Sequence, residues 1–319
     1  MIIIKLQGGL GNQMFQYAFG RALEMQKVRK GEQVQIKFDA NYYLNKEFKN
    51  VDTPRYYLLD KFNTKITFAK SEEIFALNPP LKKFLIKAKN KVFGAFCKKN
   101  PYLFDPKEFE IKDNSYIFGY WQTEKYFKSI EKEIKAELTL KNSFNLDSQK
   151  VFNKIQSDEK SEKETVSIHI RRTDYVNMKV NSEFFGTCSI EYYQKAVREL
   201  ESRLKLAGQE GKALELYIFS DDIKWAKENL KFTLSEPGDR SASPALCPMT
   251  FVSCPEIPDY EEMILMSKCK HNIIANSSFS WWAAWLNKNP EKIVIAPEKW
   301  LSNSKIKTPD VLPDTWIKV

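Results

Sequence analysis

Six consecutive residues near the middle of the chain, His169-Ile-Arg-Arg-Thr-Asp174, carry side chains that could do chemistry. They follow Thr165–Ile168, a short run with β-branched residues that is typical of a buried strand. Because arginine keeps its charge in a protein, two adjacent arginines at a strand end need anionic partners. Asp174 is the one carboxylate close to them in sequence. The segment therefore predicts either a structural salt bridge or a binding site for an anion such as a pyrophosphate.

This motif stands at the end of the first strand in a regular alternation of strands and helices. The pattern predicts strands over 165–170, 214–219, 249–252, 271–275 and 292–296. It predicts helices between them over 189–206, 222–230, 260–268 and 280–287. That order is typical of an α/β fold with a parallel sheet and helices on both faces. Ligands of such sheets bind beyond the carboxyl ends of the strands, where the motif lies.

Two further polar clusters follow strands of this predicted sheet. Asn276-Ser277-Ser278-Phe279-Ser280 leads into a helix, where hydroxyls and free amides can bind a phosphate, although serines also cap helices. Ser220-Asp221-Asp222 ends the second strand, and its carboxylates could bind a metal, a ribose or a base edge, although the default interpretation is that Asp222 or Asp221 caps the next helix. The Asp-x-Asp motif of metal-dependent sugar transferases does not occur. We therefore expect no catalytic metal.

The first half of the chain opens with a strand over 2–6 and the glycine-rich turn Gly8-Gly-Leu-Gly-Asn-Gln13. Met14 stands where the dinucleotide fingerprint needs its third glycine, and the Walker lysine is also missing. The turn therefore predicts a tight connection to the next helix rather than an NAD or ATP loop. Asn12 could hydrogen-bond a sugar or a phosphate there, or simply cap the helix.

The rest of the first half is less regular. Helices are predicted over 13–29 and 124–138, and strands over 34–38 and 116–119, around an irregular stretch from 40 to 115. The polar segment 141–163 predicts a boundary between two domains, 1–150 and 151–319. The insertion Ser235–Pro258 contains several prolines and is a candidate lid.

Composition limits the class of protein. The 319 residues are 43% apolar and carry a net charge of +9, and no apolar run approaches the roughly 18 residues of a membrane helix. Five scattered cysteines without a CxxC motif favour a reducing, cytoplasmic location. Leu81–Lys99 holds seven lysines and no acid, which predicts an amphipathic helix. That helix would either contact the inner face of a membrane peripherally or present a solvated face. Nothing indicates nucleic-acid binding.

Three motifs together resemble the bacterial α-1,2-fucosyltransferases of glycosyltransferase family 11. They are Gly8-Gly-Leu-Gly-Asn-Gln-Met-Phe-Gln-Tyr17, His169-Ile-Arg-Arg-Thr-Asp-Tyr175 and Ile273-Ile-Ala-Asn-Ser-Ser-Phe-Ser-Trp-Trp282. The resemblance implies a GT-B-like fold of two Rossmann-type domains, the first binding the acceptor and the second GDP-fucose. It implies inverting, metal-independent transfer of L-fucose to the 2-OH of a terminal galactose, on an oligosaccharide or a lipid-linked glycan. GDP-fucose is then the donor substrate, and no separate cofactor is needed.

The resemblance also implies roles for individual residues. Arg171 would grip the β-phosphate of GDP with Arg172 beside it, and His169 would lie near the nucleoside. The carboxylate of Glu262, where relatives usually carry aspartate, would hold the guanine edge. Further donor contacts would come from polar and aromatic residues at strand ends, namely Asp222, Asn276, Ser277, Ser278 and Phe279. Asn12 would face the fucose or the acceptor. Asp174 is the first candidate for the general base, although it could instead orient the arginines.

Other functions remain open from the sequence. A non-catalytic GDP-sugar-binding protein would have the same fold, and a fucosyltransferase of different linkage would have the same motifs. A basic surface-binding module would depend on Leu81–Lys99. Met14 argues against a Rossmann dehydrogenase.

Overall fold

The computed structural model describes residues 1–44, 55–79, 100–173, 186–209, 212–232, 247–303 and 305–319. The predicted helix over Leu81–Lys99, Asp174 and much of the insertion 235–258 lie outside the described residues. The chain forms two compact units. One comprises 1–141 and 306–313, and the other comprises 142–305 and 314–319.

The first unit is built on a parallel sheet of three strands in the order β2-β1-β3. The strands are β1 (Ile2–Lys5), β2 (Ile36–Asp39) and β3 (Ser115–Ile117). The helices are α1 (Leu10–Arg29), α2 (Ser71–Leu77) and α3 (Glu131–Glu137). Short 3-10 turns cover Asn41–Tyr43, Leu59–Lys61, Pro106–Glu110, Glu124–Tyr126 and Lys128–Ile130. The core lies between α1 and the central strand β1, whose isoleucines are fully buried.

The helix predicted over 124–138 is wrong in its first half. Two 3-10 turns stand there, and α3 begins only at Glu131. Phe127 leaves the helical region, with φ −128° and ψ 9°. This break lets two consecutive aromatic residues pack on different positions of α1, Tyr126 against Phe19 and Phe127 against Phe15.

The second unit holds a parallel sheet of six strands in the order β6-β5-β4-β7-β8-β9. Its strands are β4 (Glu164–Ile170), β5 (Leu214–Ser220), β6 (Met249–Phe251), β7 (His271–Ile273), β8 (Val294–Ala296) and β9 (Ile317–Lys318). Its helices are α4 (Leu146–Lys160), α5 (Ile190–Leu206), α6 (Ile223–Asn229), α7 (Asp259–Met266) and α8 (Ser278–Leu286).

Helices cover both faces of this sheet. Apolar residues of α5 and α6 pack with Val166, Ile168, Leu216 and Ile218 on one face. On the other face, α4 and α7 meet the polar side chains of β5 and β7. The predicted α/β class, with two Rossmann-type units and a parallel sheet in the second half, is confirmed.

Helix α4 is the main element that the sequence did not predict, because its polar residues looked like a linker. It begins at Asn145, whose side chain accepts a hydrogen bond from the Ser148 N–H, and few of its residues are buried. Residues 142–150 therefore belong to the second unit. Conversely, residues 306–313 belong to the first unit, where Asp310 accepts from the Phe104 N–H and pairs with Lys125. Within the described ranges, no helix combines the length and the hydropathy that a membrane span requires.

Candidate active site

The central strand β4 ends in a buried histidine. His169 is only 4% exposed, and its ring lies 5.5 Å from the Phe279 ring, centroid to centroid. Burial lowers the pKa of the imidazole to about 4, against the opposing charge of Asp221, and Arg171 lowers it further. With the described residues, Nδ1 has no hydrogen-bond partner. A neutral imidazole with a buried, unpaired nitrogen is suited to a hydrogen bond with a ligand.

Asp221 organises the loop that follows β4. Its carboxylate pairs with Arg171 Nη1 at 3.0 Å and accepts hydrogen bonds from the Arg172 N–H at 2.8 Å and the Thr173 N–H at 3.1 Å. The Thr173 hydroxyl also donates to it, at 2.5 Å. The Ser220-Asp221-Asp222 run predicted carboxylates at this strand end, but only Asp222 was expected to contact the donor, and the contacts with the loop come from Asp221. One carboxylate therefore makes four contacts with this loop, one with each arginine and two with Thr173.

Asp222 caps α6, which is the default interpretation of this residue. Its Oδ1 accepts from the Trp225 N–H at 3.2 Å, while Oδ2 lies 3.5 Å from Arg172 Nε. The Arg172 guanidinium stacks on the Trp225 ring, with 3.7 Å from Cζ to the ring centroid. Nothing in the sequence pattern indicated this stack. A direct contact of Asp222 with a ligand stays a prediction.

The amino terminus of α8 lies beside the same strand end, since Phe279 contacts His169. Ser277 is the N-cap, and its Oγ accepts from the Phe279 N–H at 3.3 Å. Ser278 is the first residue of the helix and is partly exposed. Unpaired N–H groups and the helix dipole make such a terminus favourable for an anion.

The Asn276 side chain binds other residues of the protein. Its Nδ2 donates to the Gly186 carbonyl at 3.1 Å and the Trp300 carbonyl at 3.3 Å, and Cys188 Sγ lies 3.6 Å from its Oδ1. The residue is 4% exposed. These bonds tie together the loops around the carboxyl edge of the sheet, and a direct contact of Asn276 with a donor remains a prediction.

Glu262, on α7, adds a titratable group near this edge. Burial raises the pKa of its carboxyl to about 8, with Ser253 opposing as a hydrogen-bond donor and with Asp259 and Asp221 adding to the rise. Ser253 in turn accepts from the Ser220 N–H at the end of β5 at 2.9 Å. The carboxyl is therefore mostly protonated at neutral pH, and its ionised form would accept hydrogen bonds from a ligand.

Asn12 belongs to the first unit and is not a helix cap, so that interpretation is wrong. Gly9 occupies the N-cap position, and Asn12 lies in the first turn of α1. Its Oδ1 accepts from Gln122 Nε2 at 2.6 Å. Gly8 has φ +83°, and a Cβ there would lie 2.7 Å from Asn12 Nδ2. The glycine therefore makes room for the amide over the turn.

The second unit thus brings together most of the predicted site, namely His169, Arg171, Arg172, Asp222, Ser277, Ser278 and Phe279. Asp174 lies outside the described residues. In the part of the chain that the structure describes, no group of three or more His, Cys, Asp or Glu side chains could hold a metal ion.

A family profile and two bacterial relatives match the chain over all or nearly all of its length. The sequence profile of glycosyl transferase family 11 matches residues 1–319. The O-antigen biosynthesis glycosyltransferase WbnK of Escherichia coli is 32% identical, over 98% of this chain and 99% of its own. The alpha-1,2-colitosyltransferase of the same organism is 31% identical, over 100% of this chain and 99% of its own. Galactoside alpha-(1,2)-fucosyltransferase 1 of Leontocebus fuscicollis is 22% identical, over 50% of this chain and 40% of its own. The resemblance inferred from the three motifs is confirmed, and the chain belongs to glycosyltransferase family 11.

Proposed function

We propose that this glycosyltransferase transfers L-fucose from GDP-fucose to the 2-OH of a terminal galactose, with inversion at the sugar. The observation that carries the proposal is the arrangement after β4. There, two guanidinium groups follow a buried imidazole that has an unpaired nitrogen, and the imidazole lies beside the amino terminus of α8. These groups suit a pyrophosphate. Two of the relatives are named for transfer in α-1,2 linkage, one of them to a galactoside.

The chemistry of the reaction fits these residue types. Breaking the bond between fucose and phosphate leaves additional negative charge on GDP and an oxocarbenium-like sugar. Cationic groups that are held in place stabilise that charge more in the transition state than in the ground state. In this proposal Arg171 and Arg172 bind the diphosphate, Ser277 and Ser278 add hydrogen bonds to it, and no metal is needed.

The other proposed contacts with GDP-fucose are assigned from where each residue lies in the structure. His169 would hydrogen-bond the nucleotide through its unpaired nitrogen, and Phe279 would line the phosphates beside it. The Glu262 carboxylate would accept from the guanine N–H groups. Asn12, in the first unit, would face the fucose or the acceptor. The first unit would accordingly bind the acceptor and the second the donor.

The attacking hydroxyl must lose its proton, and Asp174 is the proposed general base. The carboxylate is close in sequence to the arginines. If Asp174→Asn kept substantial turnover with an unchanged pH–rate profile, the role of base would be excluded, and orientation of the arginines would remain.

A colitosyl donor is the second candidate, because the named colitosyltransferase is 31% identical over the whole chain. The deciding experiment incubates the purified protein with GDP-fucose or the corresponding colitosyl nucleotide and a panel of galactose-ended acceptors. GDP release, product mass and linkage analysis are measured. We expect α-1,2-fucosylated product from GDP-fucose. Donor binding without GDP release would indicate a non-catalytic binding protein, and another linkage would reassign the acceptor hydroxyl.

A further inference from the structure

The two arginines that follow β4 are held in different ways. Arg171 forms an ion pair with a carboxylate, with 3.0 Å between its Nη1 and Asp221 Oδ2. Arg172 is instead held by its flat face, 3.7 Å above the Trp225 ring. Its other side-chain contact with the described residues is Nε to Asp222, at 3.5 Å, the outer limit of a hydrogen bond.

This difference decides which hydrogen-bond donors are available. All five N–H groups of a guanidinium lie in its plane, so a carboxylate that binds there competes with a phosphate for them. An aromatic ring uses only the face and leaves the donors of the edge free. Neither Nη atom of Arg172 pairs with a described residue. The stack thus holds Arg172 in one plane without occupying its Nη edge.

The ring that supports Arg172 is itself held in place. Trp225 lies in the first turn of α6, and its N–H donates to Asp222 at the helix cap. Helix α6 follows directly after β5, which pairs with β4 along its whole length. The Trp225 backbone is therefore fixed relative to the end of β4, and its side chain packs against the apolar core on that face of the sheet.

We propose that Trp225 is a positioning residue that holds the Arg172 guanidinium flat, so that its Nη edge binds the diphosphate of the donor. The inference rests on the proposed function, since it takes the ligand to be a nucleoside diphosphate. Trp225 itself would not touch the diphosphate. It would act by restricting Arg172 to the plane in which two adjacent N–H groups can meet phosphate oxygens.

The test is a double-mutant cycle on ligand binding, measured by titration calorimetry with GDP, inorganic pyrophosphate and guanosine. We expect Trp225→Leu to weaken GDP and pyrophosphate roughly fivefold, the size of a partly desolvated cation–π contact. Guanosine, which has no phosphate, should bind as it does to the wild type. Trp225→Phe should recover most of the loss. In the Arg172→Ala background, Trp225→Leu should weaken GDP no further.

Lys227→Ala provides the matched control. Lys227 is an exposed residue of the same helix as Trp225, and its amino group lies over a different ring, that of Phe251. It should leave the binding of GDP unchanged. Equal losses for GDP and guanosine, or the same loss with and without Arg172, would overturn the role of Trp225. If Trp225→Leu does not fold, Trp225→Met takes its place in the cycle. If the wild-type protein binds pyrophosphate but not GDP, the proposal of a GDP-linked donor is refuted. The role of Trp225 is then tested by completing the double-mutant cycle with pyrophosphate. Protein that binds neither would refute both proposals.

Discussion

At the scale of single residues, the arginine that pairs with Asp221 is the first to test. We expect Arg171→Ala to fold and to lose about 10²–10³ in turnover, as removal of one transition-state donor typically does. Steady-state rates of GDP release and thermal unfolding measure the two effects. Arg203→Ala is the control, because Arg203 forms an exposed pair with Glu199. Retention of more than about a tenth of wild-type turnover would contradict the role.

If Glu262 binds the guanine as proposed, donor binding should depend on pH. The pKa of its carboxyl is raised to about 8, so at pH 7 most molecules must lose a proton before the carboxylate can accept from guanine. We expect GDP to bind about eightfold more tightly at pH 8.5 than at pH 7, above the range in which the phosphate titrates near pH 6. Titration calorimetry across this range measures the change and the proton released.

Glu262→Gln is the control for that pH dependence. It should bind GDP more weakly at pH 8.5 and with nearly the same affinity at both pH values, because glutamine does not titrate. A slope that persists in Glu262→Gln would assign the proton to another group. The stability of the fold depends on pH in the opposite direction. The folded state holds this proton up to about pH 8. The stability that Glu262 contributes is therefore lost as the pH rises from the pKa of this carboxyl in the unfolded chain toward 8.

At the scale of elements, helix α4 is attached to the sheet by a carboxylate. Asp158 accepts from the Tyr217 hydroxyl at 2.5 Å, from Lys154 at 2.7 Å and from Lys163 at 2.9 Å. Burial alone would raise the pKa of Asp158, but these bonds lower it to about 2. The ionised form therefore stabilises the fold above its unfolded pKa near 4, and this contribution disappears as pH falls toward 2.

Asp158→Asn should accordingly destabilise the second unit at pH 7 by about 1–3 kcal/mol, which lowers the melting temperature by several degrees. Scanning calorimetry measures the change. The difference in stability between the wild type and Asp158→Asn should shrink in acid, where the wild-type carboxylate becomes protonated. Asp147→Asn, on the same helix but in an exposed pair with Lys150, should cost much less. Equal losses in the two variants would show that Asp158 does not attach α4 to the sheet.

The composition and length of each element explain which strands and helices could be predicted from the sequence. Strands β4 to β8 of the second sheet are short, largely apolar runs, buried except for the half-buried β6, and each was predicted to within a few residues of its observed bounds. Helix α4 was missed because its contacts with the sheet are polar, through Asp158 and Lys154. Ile155 is its one buried apolar residue, so the apolar periodicity is too weak to reveal the helix. Strand β9 is only two residues long, too short for a pattern.

At the scale of the whole molecule, the proposed reaction needs fixed cations and no bound metal. We expect excess EDTA to leave the rate of fucosyl transfer unchanged, because Arg171 and Arg172 would carry the charge of the departing GDP. Initial rates with EDTA, and with EDTA preloaded with calcium as a control, measure this. A loss that Mg²⁺ or Mn²⁺ restores would show that a metal takes part.

The sequence by itself determined the family, the α/β class and the strand ends where polar side chains collect. It could do so because these signals are local: buried strands are apolar, and the motif residues are neighbours along the chain. Only the tertiary structure decided that Asp221 rather than Asp222 binds both the loop and Arg171, and that Trp225 supports Arg172. Those contacts join the ends of β4 and β5, which are about fifty residues apart in sequence, and their geometry depends on the register of the parallel strands.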